Sequence, residues 1–341
     1  MKEIDFLSPR ITLYTNKELR HKNGISGILT LIAYIGKLIF FIIFIEELFN
    51  RDPSVSFYYK YGSDVSFPMD TEHFFHYVLT SMNYNPRNIQ VVGSFRDSNF
   101  FVEDMDLSNE DHWIYETCSI EDFGDLLQYH TDSFKKYYLS SSLCLKKMWS
   151  AKDQKFYDQS SSKYYIPHLE TLQTGAITSF KIYFTKCMNN TIYNQLYGNC
   201  NTQEEIEKDV SISGAFFYYA DNVVDVEDYK KPFKIDFKGY VDSYQKGKIF
   251  LNKVYLSPME VKSKNGLLLT KDSSVISYSF DKIDRTAMDA ERAENILSVY
   301  EIQVDKKEYY FERRYSRLPE VVANIWSASK MIDLVAFFVN Y

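Results

Sequence analysis

Glycine and proline are scarce in this chain, 12 and 8 in 341 residues. No glycine- or serine-rich linker, repeat or low-complexity tract divides it, so a single large body is expected. Basic tracts are missing as well. The net charge is -7, and no stretch has the density of Lys and Arg that a phosphate-backbone binder needs, which excludes nucleic acid as a partner. The signatures of catalysis are absent: there is no G-x-S-x-G elbow, no P-loop and no dinucleotide fingerprint. His73 and His76, in EHFFHY with Glu72, could share a helix face. They are not the H-E-x-x-H of a metalloprotease, no third ligand is evident, and they read as structural. The run VEDMDLSNED carries five carboxylates, Glu103, Asp104, Asp106, Glu110 and Asp111, without the glycine and closing glutamate of a calcium loop. It reads as a solvated acidic loop. The expectation is a protein that is not an enzyme and holds no cofactor or metal.

What the chain does contain is apolar at its ends and aromatic between them. Aromatics make up 17%, with 29 Tyr and 26 Phe. From Gly24 to Ile45 the only ionised residue is Lys37, and that length of helix spans about 33 Å, the hydrocarbon thickness of a bilayer. A buried core helix rarely runs so far without a polar side. A cleaved signal would be shorter and followed by a small-residue site; EELFNRDP follows here. The segment reads as a retained anchor over 24–46. Residues 1–23 carry Lys2, Arg10, Lys17, Arg20 and Lys22 against Glu3, Asp5 and Glu18. The excess of positive charge keeps that segment cytosolic and exports residue 47 onward. At the other end LPEVVANIWSASKMIDLVAFFVNY, residues 318–341, begins beside a proline and is long enough to span. It contains Lys330 and Asp333, so a helix lying on the membrane surface is the alternative.

Four cysteines, Cys118, Cys144, Cys187 and Cys200, all follow the first span. An even number on the exported side permits two disulfides. Sequence leaves three connectivities open, of which local pairing, Cys118 with Cys144 and Cys187 with Cys200, closes the shortest loops. No close C-x-x-C pair favours zinc. The second loop, CMNNTIYNQLYGNC, holds the acceptor pattern Asn189-Asn190-Thr191, making Asn189 the glycosylation candidate. Between the spans, residues 47–317 read as one β-rich, sandwich-like extracytosolic domain. Strands are expected near 54–61, 88–95, 211–220, 233–241, 248–256 and 275–280 from their β-branched and aromatic content. Asn265-Gly266 marks a hairpin. The segment 119–139 has helical spacing and forms a small insertion closed by cysteines, and 204–210 reads as a short helix.

Several of these segments resemble a family of two-pass transmembrane proteins of ciliates. They are the Asp5-Phe6-x-x-Pro9 start, Gly27 opening a span that ends in Glu46-Glu47-Leu48, and Cys118 followed by Phe123. The others are Cys187 and Cys200 leading to Glu204-Glu205-Ile206, DYKKPF at 228–233, and RRYSRLPEVVANIWSASKMIDLV from Arg313. The plan of the ends is also similar to that of early-secretory cargo receptors cycling between ER and Golgi, with Asn23-Gly24-Ile25-Ser26-Gly27 before the first span. The resemblance implies two spans, cytosolic ends and a β-rich lumenal domain.

The expected function is that of a membrane-anchored binding or structural subunit, working with other membrane proteins or with copies of itself. A cargo receptor and a two-span ligand-gated cation channel are the alternatives. The membrane is that of the secretory pathway, the cell surface or a cilium, with the mitochondrial inner membrane as the alternative. Lys37 lies thirteen residues from Gly24, as Asp333 does from Glu320, so both sit about 20 Å deep, near the middle of a bilayer. An isolated charge there costs about 3 kcal/mol. Lys37 and Asp333 are therefore expected to meet between the spans, leaving Lys330 for a partner subunit or headgroups.

Overall fold

The computed structural model describes residues 24–50, 53–61, 65–68, 74–81, 84–97, 111–159, 161–165, 168–171, 178–189, 191–228, 231–264, 266, 268, 272–289 and 295–340. Two apolar terminal helices flank a β-rich domain with two disulfides. The first helix, α1 (Gly24–Asn50), opens the described chain. It is followed by strands β1 (Ser54–Tyr61), β2 (Val65–Pro68), β3 (His76–Leu79), β4 (Ile89–Asp97) and β5 (His112–Thr117). A lobe carrying α2 (Ile120–Phe123) and α3 (Asp132–Tyr137) leads to β6 (Leu143–Ser150), β7 (Lys155–Asp158), β8 (His168–Thr171) and β9 (Thr178–Lys186). Helices α4 (Thr191–Tyr197) and α5 (Gln203–Ile212) precede β10 (Gly214–Val224), β11 (Phe233–Ser243), β12 (Lys248–Lys264) and β13 (Asp272–Asp289). Strands β14 (Ile296–Val304) and β15 (Lys307–Arg314) and helix α6 (Leu318–Asn340) complete the order.

Thirteen of the strands form one sheet, in the order β1-β15-β12-β14-β9-β4-β5-β6-β3-β10-β11, with β13 on β12 and β7 on β6; β2 and β8 pair separately. The core lies where this sheet curls back on itself. Two buried aspartates tie the β10–β11 end to the opposite side. Asp221 Oδ1 accepts from Phe280 N at 2.9 Å and Ser279 Oγ at 3.0 Å. Asp242 accepts from Ser298 Oγ at 3.0 Å, from Asn252 Nδ2, and from the Arg285 guanidinium at 2.7 Å. The β-rich, sandwich-like domain forms from one curled sheet of thirteen strands. Every residue of β14 is buried, as suits a strand at the centre of a curled sheet.

The long β12–β13 hairpin joins this body to the helices. The first half of β12 runs parallel to β14 (Phe250↔Ser298 to Leu256↔Val304), and the second half runs parallel to β15 (Met259↔Tyr309 to Lys264↔Arg314). The change of neighbour falls at Pro258, which has no N–H to offer a ladder. Beyond it β1, β15, β12 and the start of β13 make a stalk, in which every residue of β1 is exposed while Met259, Val261 and Ser263 of β12 are buried. Cross-strand aromatic pairs brace it: Phe57 on Phe311 at 4.8 Å and Tyr58 on Tyr310 at 5.2 Å.

The stalk also places the helices. Ser54 is opposite Arg314 in an antiparallel pair, so α1 and α6 adjoin neighbouring strands at the same level. They are the two described helices long and apolar enough to cross a membrane. Their apolar side chains are mostly exposed, which rules out the core-helix reading. α1 continues past residue 46 to Asn50, where Glu47 accepts from Ser316 Oγ at 2.9 Å. Pro319 sits in the first turn of α6, where its missing N–H costs nothing, and Arg314 and Arg317 both bond Glu320.

Three local expectations change. The strand expected over 211–220 starts at Gly214, because the Thr202–Glu205 capping box launches α5 as far as Ile212. Residues 119–139 form several short helical pieces rather than one helix. His76 begins β3, not a helix, and its Nε2 lies 2.6 Å from Tyr115 OH in the core. His73, Glu72, Asn265 and residues 102–110 lie outside the described residues.

Candidate functional site

Between the helices, Lys37 Nζ lies 2.5 Å from Asp333 Oδ1 and 5.6 Å from the Tyr34 ring centroid. Small residues allow the approach. Thr30, Ala33 and Ala336 are buried, and a Cβ on Gly36 would sit 3.6 Å from Ile332 Cδ1. The pair is not sealed: the Lys37 and Asp333 side chains remain 27% and 34% exposed. Lys330 is exposed, its Nζ 5.2 Å from the Trp326 ring on the same helix.

The structure joins Cys118 to Cys144 and Cys187 to Cys200. The first bond closes the base of the lobe inserted between β5 and β6, where Cys118 N also donates to Ser142 O at 2.8 Å. The second closes the loop before α5, and Gln90 Nε2 is 3.2 Å from Cys187 Sγ. Asn189 is exposed in that loop, with Oδ1 accepting from Cys200 N at 3.1 Å.

The inserted lobe makes a second site that the sequence did not point to. Strand alternation gives β3 and β10 two apolar faces. Val78, Phe217 and Tyr219 enter the main core, while Phe75, Tyr77, Phe216 and Tyr218 face the lobe. The lobe covers that second face in part, and α3 is set by Thr131, whose Oγ1 accepts from Phe134 N at 3.2 Å. The uncovered remainder is a cleft of about 950 Å³. Tyr218 forms one wall, stacked on Tyr77 at 5.2 Å. Its ring lies flat over Gly239, where a Cβ would approach to 2.3 Å. On the lobe side the His130 ring lies 4.1 Å from Phe134 and 4.0 Å from Phe237. Burial against these rings, and then the charge of Lys135, lower its pKa to about 4, so it is neutral at pH 7. Two buried polar atoms at the cleft residues have no hydrogen-bond partner among the described residues: Thr80 Oγ1 and His130 Nε2. Such an atom costs about 1–3 kcal/mol unless something bonds it.

Elsewhere, buried polar groups serve the scaffold. Arg313, 1% exposed, donates from NH1 to Asp225 O at 2.8 Å and Asp228 O at 2.7 Å, and from Nε to Ser263 Oγ at 3.1 Å. It thus joins two of the segments that the sequence singled out, RRYSRLP and DYKKPF. Among the described residues no group of three or more His, Cys, Asp or Glu is arranged to hold a metal ion.

The family model described as "Uncharacterised 80 kDa protein N-terminal domain" matches residues 88–305. No curated protein matches the chain. Among solved structures, a proton-activated chloride channel is similar with a TM-score of 0.34 at 12% identity, covering 92% of this chain and 95% of that one. Erv41p is similar with a TM-score of 0.25 at 7% identity, covering 73% of this chain and 99% of that one.

Proposed function

The chain belongs to the family of the uncharacterised 80 kDa protein N-terminal domain, and within it we propose a non-enzymatic, membrane-anchored subunit that assembles through its spans. The two helices hold the β-rich domain at a bilayer on its extracytosolic side. The assembling partners are copies of the same chain or other membrane proteins. One observation carries the reading: Lys37 and Asp333 meet yet stay 27% and 34% exposed on the surface of a two-helix pair. Hydrocarbon around a partly uncovered ion pair is costly, and a further helix laid over it removes that cost. Exposed Lys330 adds a second charge for that helix to meet or for headgroups to reach.

The test is purification in mild detergent followed by mass measurement, with identification of whatever co-purifies. A defined oligomer or a constant partner supports the proposal, and a clean monomer of full stability overturns it. The orientation has its own test. Asn189 is exposed beside a disulfide, so a glycosidase-sensitive mass shift that N189Q abolishes is expected. A protected, unmodified Asn189 with reduced cysteines would put the domain in the cytosol.

A further inference from the structure

The cleft between the inserted lobe and the β3–β10–β11 end of the sheet is not used by the assembly reading, and its chemistry is specific. We propose that it binds an uncharged carbohydrate, a neutral saccharide whose ring faces stack on its aromatic walls. Three observations on the cleft point to this class.

First, the walls are flat aromatic surfaces at the size of a ligand site. Tyr77, Tyr218 and Phe237 form the sheet side, and Tyr129 and Tyr138, 46% and 39% exposed, stand at the rim. A pyranose ring has apolar C–H faces and hydroxyl edges, and tyrosine offers a matching apolar face with a polar tip.

Second, no lysine or arginine lines the cleft among the described residues, and Asp209 is its one carboxylate. Phosphates, nucleotides and acidic sugars therefore have no countercharge here. Asp209 Oδ2 already accepts from Asn88 Nδ2 at 2.6 Å, which leaves its other oxygen as an acceptor for hydroxyl groups.

Third, hydroxyl side chains stand among the rings of the cleft. Ser81, Thr131 and Ser243 supply them. A sterol or acyl chain would set carbon against these hydroxyls, whereas a polyhydroxylated ring can bond them. The His130 imidazole, neutral at pH 7, adds no positive charge to the cleft.

The experiment uses the full chain in a polyoxyethylene detergent, which carries neither sugar nor ammonium groups. Binding is measured to an array of free neutral oligosaccharides of hexoses and N-acetylhexosamines. Sialylated and sulfated saccharides and tetraalkylammonium salts serve as competitors. Saturable binding of a neutral saccharide is expected. S243A should weaken it about tenfold without lowering the melting temperature, because that side chain is exposed. Y138A should weaken it by a similar factor. Absence of neutral-saccharide binding, preference for an acidic or ammonium ligand, or binding untouched by both substitutions overturns the proposal. Its fate is separate from that of the assembly, which is read as a mass on the same preparation.

Discussion

Lys37 and Asp333, 296 positions apart in the chain, meet at 2.5 Å because Ser54 and Arg314 are partners at the base of the stalk. Counting along α1 from Asn50 and along α6 from Leu318 brings each charge to a similar depth, about 20 Å into its helix. The sheet register and the ion pair are thus one geometric fact, and either would shift if the other were changed.

The pair should behave as a coupled unit. K37L strands Asp333, and D333L strands Lys37; each should destabilise the helix pair by about 3 kcal/mol. The double variant K37L/D333L should recover most of the loss, and the swap K37D/D333K part of it. Melting temperatures of the four proteins in one detergent check this. Additive single effects would mean that the two charges are independent.

Removal of either disulfide should cost about 3 kcal/mol, since each closes a short loop. The local consequences should differ. C118S/C144S frees the base of the lobe, so limited proteolysis should cut within residues 119–141 and the cleft should lose a wall. C187S/C200S should open the loop bearing Asn189 and leave the lobe protected. Identical cleavage maps would contradict this assignment.

Arg313 holds residues 225–228 through two backbone carbonyls, those of Asp225 and Asp228. R313M would leave those carbonyls without their donor and should destabilise the domain on the order of 3 kcal/mol. R313K keeps the charge but not the forked donor set and should recover only part. Denaturant midpoints for the three proteins, with hydrogen exchange across residues 225–235, measure both effects.

His76 makes the domain acid-sensitive. Its burial among Phe74, Tyr115, Phe180 and Phe217 lowers its pKa to about 4, partly opposed by a hydrogen bond with the Phe74 backbone. Between pH 6.5 and about 4 the unfolded chain binds a proton that the folded one refuses. The stabilisation is whole above pH 6.5 and falls as the pH drops through that window, by on the order of 3 kcal/mol. Below about 4 the contribution levels off. The melting temperature of the protein against pH should show this slope; H76Q should reduce it, and the remainder belongs to His130, whose pKa is lowered to about 4 as well.

The sequence carried the ends of the molecule on its own. An apolar run with a single charge is legible because the bilayer imposes its length and composition directly on the chain. Lys37, Lys330 and Asp333 stood out for the same reason. Strands such as 54–61 and 233–241 were legible from their aromatic and β-branched content, and part of α5 from the run at 204–210. The cleft was not. Tyr77, His130, Tyr218 and Thr80 come from separate segments and look like ordinary members of an aromatic-rich chain. Only the curl of the sheet and the disulfide-closed lobe bring them together, because which strand face stays uncovered depends on long-range packing. The same holds for Asp221, Asp242 and Arg313, whose partners lie tens of residues away. Local pattern records what each segment needs from solvent or lipid; the tertiary structure decides which segments meet that need for one another.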